Sequence, residues 1–156
     1  MPEIIISGRT VLFDEEDHGL ITGKGWRVMD NNGKLYVVRY SPGGEGSSLE
    51  LFHRTVMGGP KGMLIDHKSG ETLDCRKENL RVCNHAQNMR NRKISKANKS
   101  GFKGVHECSK NPGTYIAQIT IDGSKLRLGR FKDPAEAHSA YCAAATKYHG
   151  EFARTA

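Results

Sequence analysis

The residues best suited to chemistry lie in two short stretches, Ile65-Asp66-His67 and the segment from Glu78 to Asn88, which carries Asn79, Asn84 and Asn88. A carboxylate beside an imidazole, with amide oxygens nearby in sequence, suits hydrolysis of a phosphodiester. There a water must lose a proton while a leaving oxyanion gains charge. A neutral imidazole, with an ordinary pKa of about 6.5, accepts a proton near pH 7. The carboxylate can hold a divalent cation against the oxyanion. Mg²⁺ prefers oxygen ligands, keeps several of its waters and often needs only one or two protein groups, so Asp66 with one amide oxygen would be enough. An isolated Asp-His dipeptide is more often a surface turn, so the surrounding pattern has to decide.

That pattern is a strand, a loop, a strand and a helix. Leu64–Asp66 reads as a short buried strand with a turn at Ser69-Gly70. Asp74 is a plausible helix N-cap with Glu78 in the following turn, and Leu80–Val82 reads as a second strand. Asn84 with Gln87 three residues later forms a capping-box pattern, which predicts a helix from His85 into the basic segment. On it His85, Asn88 and Arg92 share a face by their spacing. Gly58-Gly59-Pro60 must end whatever element covers Leu49–Met57.

The first 48 residues read as short strands at Ile4–Ile6, Val11–Phe13, Trp26–Met29 and Lys34–Tyr40. The last two are joined by Asn31-Asn32-Gly33, a hairpin turn. Asp14–Asp17 is an acidic run best read as a solvated turn or helix start, and Trp26 as core packing. The Gly/Ser-rich stretch from Ser41 to Ser48 has the composition of a flexible loop. After Asn98-Lys99-Ser100-Gly101, taken as a linker, three strands are predicted at Phe102–His106, Thr114–Ile121 and Lys125–Phe131. Asp133-Pro134-Ala135-Glu136 combines an N-cap, a first-turn proline and an acid, and so starts a helix running through His149. Ala137, Ala140, Tyr141, Ala144, Ala145 and Tyr148 share its broad face, small enough to lie close on a sheet.

Charge separates the chain by region. Formal net charge is −3 over residues 1–50, +7 over 51–100 and +3 over 101–156. From Arg90 to Lys103 there are six cations, Arg90, Arg92, Lys93, Lys96, Lys99 and Lys103, and no acid. Basic residues spread evenly would be a solvated surface. Clustered in this way they point to a polyanionic partner. Cys75, Cys83, Cys108 and Cys142 form no C-x-x-C pair, which argues against a zinc ribbon or disulfide scaffold and for reduced thiols. No apolar run is long enough to span a bilayer and no signal-peptide pattern opens the chain, so a soluble, cytoplasmic protein is expected.

With these residues set out, residues 49 to 93 resemble the HNH homing endonucleases of phages and bacteria. Phe52-His53-Arg54, Pro60-Lys61-Gly62, Ile65-Asp66-His67, Gly70, Leu73-Asp74, Arg76, Glu78-Asn79-Leu80-Arg81, Gln87-Asn88 and Asn91-Arg92-Lys93 carry the likeness. It implies that His67 is the general base, that Asp66 and Asn88 hold one divalent metal ion, Mg²⁺ or Mn²⁺, and that Asn79 fixes the loop presenting His67. Lys68-Ser69-Gly70 and Cys75 depart from the family pattern but remove none of these groups.

Residues 101 to 153 look like the plant ethylene-response-factor type of DNA-binding domain, on Gly101-Phe102-Lys103-Gly104-Val105, Tyr115–Ile119, Leu128-Gly129-Arg130-Phe131 and the alanines and tyrosine of the helix. That likeness implies a sheet lying in the major groove, with Lys103, Tyr115, Lys125, Arg127 and Arg130 toward DNA. His106-Glu107 departs from it, and Glu107 would repel phosphate.

The expected fold is therefore α+β. It has a small β-rich unit over 1–48, a ββα-metal HNH nuclease core over 49–97, a linker over 98–101, and a three-stranded antiparallel sheet packed on one helix over 102–156. The expected activity is homing-type cleavage of double-stranded DNA that leaves 5′-phosphate ends, in the bacterial host cytoplasm if the gene is a phage's. The protein would act as monomer or homodimer, with no small-molecule cofactor. Arg54 and the Arg90–Lys103 cations would join the C-terminal sheet in gripping DNA. The rival readings are a DNA-binding regulator with a decayed nuclease site, and an RNA-binding or structural accessory protein.

Overall fold

The computed structural model describes residues 2–41, 48–95 and 97–155. Most of the expected Gly/Ser-rich loop, residues 42–47, and Lys96 therefore lie outside the described residues. The chain is α+β, as expected, and divides into two compact units, residues 1–85 and 86–156.

In the first unit two hairpins set the frame. Strands β1 (Glu3–Ile6) and β2 (Arg9–Leu12) pair antiparallel. Strands β3 (Arg27–Asn31) and β4 (Lys34–Tyr40) pair through the Asn32-Gly33 turn. Both turn residues have positive φ, 55° and 80°, and the Asp30 carboxylate accepts the Gly33 amide at 2.7 Å. These are the angles of the tight turn that matches strand twist, which explains the strength of the Asn-Gly signal. The acidic run becomes a 3-10 turn at Glu15–Asp17 leading into the one-turn helix α1 (His18–Ile21). Lys77 gathers three of its carboxylates, since Asp14 accepts the Lys77 amide at 2.7 Å while the Lys77 ammonium pairs with Glu16 and lies 3.7 Å from Asp17.

Residues Leu49–Met57 form a short third strand, β5 (Leu49–Leu51), against β4, followed by helix α2 (Phe52–Val56). Strands β6 (Leu64–His67) and β7 (Leu80–Cys83) then make a separate antiparallel pair. One apolar core draws on both sides of residue 48, with Ile6, Val11, Phe13, Ile21, Trp26 and Val37 packed with Phe52, Val56, Ile65, Cys75 and Leu80. Trp26 meets Phe52 edge to face at 5.1 Å, and its indole N–H donates to the Leu20 carbonyl at 2.8 Å. The loop between β6 and β7 is stitched to the N-terminal hairpin by the Leu12 amide on the Leu73 carbonyl, 3.0 Å, and the Cys75 amide on the Leu12 carbonyl, 2.8 Å.

Helix α3 (His85–Arg90) begins where the capping pattern puts it, but it is short. The second unit is built on strands β8 (Val105–Glu107), β9 (Tyr115–Ile121) and β10 (Ser124–Phe131), antiparallel in the order β10-β9-β8. Helix α4 (Pro134–His149) lies on them, capped by Asp133, whose side chain accepts the Ala135 amide at 2.9 Å. Ala137, Tyr141, Ala144 and Ala145 are buried, while Tyr148 is exposed. The strand predicted from Phe102 starts only at Val105. Gly101 and Gly104 both have φ of 75°, which an extended strand does not allow. The stretch taken as a linker is a fastened turn, in which the Asn98 amide donates to the carbonyls of Phe102 and Val105, both at 3.1 Å.

Candidate functional site

Position on β6 decides what each member of the Asp66-His67 pair faces. Successive residues of a strand point to opposite sides. Asp66 stands directly opposite Arg81 and His67 opposite Leu80. Arg81 places Nε and Nη2 on the same oxygen, Oδ2 of Asp66, at 3.0 and 2.8 Å, and both side chains are about nine-tenths buried. His67 takes the side of Ile65, towards the core, and meets other rings. Its imidazole packs edge to face with His53 of α2 at 4.8 Å, and Tyr36 of β4 lies 5.9 Å from His53 and 6.4 Å from His67.

Burial governs the protonation of this cluster. It holds His53 down to a pKa of about 3, with the neighbouring His67 and Arg54 adding to the effect. It also holds His67 down to about 4, against the opposing pull of the Asp66 and Asp74 charges. Both rings are therefore neutral at pH 7, the form that accepts a proton or ligates a metal.

A stability profile follows from these shifts. In the unfolded chain the two imidazoles titrate near 6.5, so below that pH the unfolded state binds protons that the folded state refuses. The stabilisation is complete above pH 6.5 and is lost as pH falls towards the folded values of about 4 and about 3. Urea unfolding in EDTA should show a loss on the order of 2–4 kcal/mol between pH 7.5 and pH 5. A flat profile there would show that the rings are hydrated.

Asn79 holds the loop behind His67. Its buried amide accepts the Ser69 N–H at 3.0 Å and donates to the Asp74 carbonyl at 2.8 Å, while its own carbonyl takes the Lys68 N–H at 2.8 Å. Asp74 is clasped by Arg76 at 2.7 and 2.8 Å, and that guanidinium holds its carboxyl below the usual range. Lys68, Ser69 and Cys75, the departures from the family pattern, sit on this loop without displacing Asn79. Cys75 is a buried filler whose thiol burial pushes up to about 12.

Arg81 was not singled out from the sequence, although a signal was present. An arginine between Leu80 and Val82 on a short buried strand needs a carboxylate, and Asp66 is the one that antiparallel pairing sets across from it. Arg81→Leu should leave Asp66 buried beside no counter-charge and cost about 3–5 kcal/mol in urea unfolding. A change under about 1 kcal/mol would mean that Asp66 is stabilised by something else.

The expected DNA contacts fall into two groups. Arg54 donates to the carbonyls of Met63 at 2.8 Å and Pro60 at 3.1 Å, so its guanidinium ties down the loop after α2. In the second unit Lys103 is half-buried, with its ammonium on the carbonyls of Arg90 and Arg92 at 2.6 and 2.8 Å, and burial lowers its pKa to about 8. Tyr115 packs on the helix side with Val105, Ala117 and Ala137. These three groups face the protein.

By contrast Lys125, Arg127 and Arg130 are exposed on β10, opposite Thr120, Gln118 and Ile116 of β9, which alternate with the buried Ala117 and Ile119. They stand on the face away from α4. A bulge between Arg127 and Gly129 turns Arg130 onto that face, where strict alternation would have pointed it the other way. Arg92, Lys93 and Lys99 are exposed, and Arg90 lies 3.5 Å from Asp122. Asn88 is half-buried on α3 and belongs to the second unit.

Comparison with known proteins places these residues in a family. Residues 51–90 match the family model described as HNH endonuclease, and these residues contain His53, Asp66, His67, Asn79 and Asn88. Protein 3.8 of Escherichia phage T7 is 34% identical over 95 residues, which are 61% of this chain and 77% of that protein. The chain belongs to the phage Protein 3.8 family. Within this family member the HNH endonuclease domain spans β5 to α3, so the ring cluster and the Asp66–Arg81 pair are features of that domain with one addition, Tyr36, from outside it. No solved structure matches the chain. Among the described residues no helix is long and apolar enough to cross a membrane.

Proposed function

We propose that this Protein 3.8 relative is a metal-dependent DNA endonuclease of the homing type. The observation that carries the reading is His67, which follows Asp66 on β6 within the HNH match and packs against His53 as an uncharged imidazole. In its neutral form it can take the proton of an attacking water. A phosphodiester brought against it adds negative charge, which raises its basicity towards the neutral range where general-base catalysis works best. Asn79 keeps the loop behind it from moving, and Asp74 with Arg76 holds that loop from the other side.

The donors present fit a hard divalent ion. Asp66 offers carboxylate oxygen, which suits Mg²⁺ or Mn²⁺. Among the described residues no three His, Cys, Asp or Glu side chains form a closed cage, and Mg²⁺ is commonly bound by one or two carboxylates with water and substrate phosphate. When bound, the ion would take up charge on the phosphate and on the leaving 3′ oxygen. Arg81 supports a second reading. A guanidinium already neutralises Asp66, as it would in a DNA-binding regulator that has given up the ion.

Cleavage of supercoiled plasmid with Mg²⁺, with Mn²⁺ and with EDTA separates the two. Nicked or linear product only in the presence of metal supports the nuclease. A salt-sensitive gel shift without cleavage supports the regulator.

DNA grip is assigned to the exposed face of β10 and the basic segment from Arg90, in keeping with the resemblance of residues 101–153 to a DNA-binding domain. If on the order of six phosphates are neutralised, affinity should fall about 10³-fold between 50 and 200 mM salt. Replacing Lys125, Arg127 and Arg130 with Gln should make the slope of log affinity against log salt shallower by about 2 to 3. An unchanged slope would remove this face from the interface.

A further inference from the structure

We infer that Tyr36, on β4 and outside the HNH match, is a positioning residue that fixes the ring of His67 for catalysis. The inference rests on the nuclease reading and adds to it a contribution from the first 48 residues. Strand pairing holds the backbone of His67, because β6 is bonded to β7 at Leu80. Pairing does nothing for the imidazole, whose ring torsion is broad. The ring plane must instead be set by what packs against it.

Two aromatic neighbours do so. His53 closes one side at 4.8 Å with the planes at 67°, and Tyr36 lies 6.4 Å away at 59°, while Tyr36 and His53 touch at 5.9 Å. Each ring in this triangle buttresses the other two at separations typical of edge-to-face and tilted aromatic contacts. Tyr36 is itself held in place. It pairs with Met29 in the β3–β4 ladder, and Val38, two residues on and on the same strand face, is fully buried. The adjoining Leu35 carbonyl accepts the Thr72 hydroxyl, which fastens β4 to the loop that follows His67.

The phenol is half-buried, and burial together with the Asp66 charge keeps it protonated. The hydroxyl is thus a neutral group, and the ring is the part that acts on His67. His53 belongs to the HNH match itself, whereas Tyr36 extends the catalytic arrangement into the N-terminal hairpin.

The test uses the full-length chain with Tyr36→Phe, Tyr36→Leu and Tyr36→Ala, scored by plasmid cleavage, urea midpoint and the His67 imidazole proton resonance, assigned by its loss in His67→Ala. Tyr36→Phe should cleave within about threefold of wild type. Tyr36→Ala should lower kcat by about 10- to 100-fold at a KM within about threefold, and should shift the His67 resonance. If Tyr36→Ala does not fold, Tyr36→Leu carries the same expectation, since it fills the space without a ring.

Wild-type kcat in both ringless variants would overturn the inference, as would a raised KM at unchanged kcat, which marks a DNA contact. A Tyr36→Phe defect equal to that of Tyr36→Ala would overturn it as well, since the hydroxyl would then be the active part. If wild type itself does not cleave, the nuclease reading fails by that control, and an unmoved His67 resonance would still sink the positioning role on its own.

Discussion

His67→Ala is expected to abolish metal-dependent cleavage while leaving DNA affinity within a few-fold of wild type. The size of the effect follows from what the imidazole replaces. Without it the attacking water has no base beside it, and loss of general-base assistance alone costs typically 10²–10⁴ in rate. No other neutral base can step in easily. His53 is 4.8 Å from His67 and is buried as well, which lowers its basicity too, and the Asp66 carboxylate is clasped by Arg81. Binding should survive, because the phosphate grip proposed above falls to other residues, the exposed Lys125, Arg127 and Arg130 among them. Plasmid cleavage and gel-shift titration of the same preparation check both halves. A fall in affinity of more than a few-fold would defeat the division of labour, and residual cleavage at wild-type rate would remove His67 from the chemistry.

Gly104→Ala should be the most damaging single substitution in the second unit. Its φ is 75°, a left-handed conformation that side chains rarely adopt, and a Cβ placed there would lie 2.0 Å from the Tyr141 ring. The ring cannot yield cheaply. Tyr141 is 5% exposed and packs in the core of the unit with Ile119, Ala144 and Ala145. Strain and overpacking therefore add, and the expected loss is about 3 kcal/mol or more. Gly101→Ala is the matched control. Gly101 shares the same φ, but a Cβ there meets nothing within 4 Å, so only the backbone penalty of about 1 kcal/mol applies. Thermal or urea unfolding of the two variants side by side checks this. Equal losses would mean that the approach of α4 to Gly104 contributes nothing.

Much of the architecture could be read from local signals. Asn32-Gly33 marks a hairpin because that turn needs two residues with positive φ, and Asp133-Pro134 opens α4 because the cap and the fixed proline angle act within a single turn. Strand alternation likewise located β4, β9 and β10 to within a residue or so. The largest shift of a strand start has a glycine cause, since Gly101 and Gly104 delay β8 to Val105. The short helix α2 escaped notice because five residues are too few to show a helical period.

By itself, the sequence determined the kind of chemistry available, through Asp66-His67 with Asn79 behind them, and the α+β order of elements that carries them. Only the tertiary structure decided the state of those groups. The neutral form of His67 comes from burial beside His53 and Tyr36, and the engagement of Asp66 comes from Arg81 across the ladder. It also decided which cations remain outside. Lys103 and Arg54 turn inward onto carbonyls, whereas one bulge brings Arg130 onto the open face with Lys125 and Arg127. The physical reason is range. Turn and cap preferences act over a few neighbouring residues, while burial and partnership join positions far apart: Tyr36 meets His67 through the packing of separate sheets, and Asp66 meets Arg81 through a ladder register that a slip of one residue would reverse.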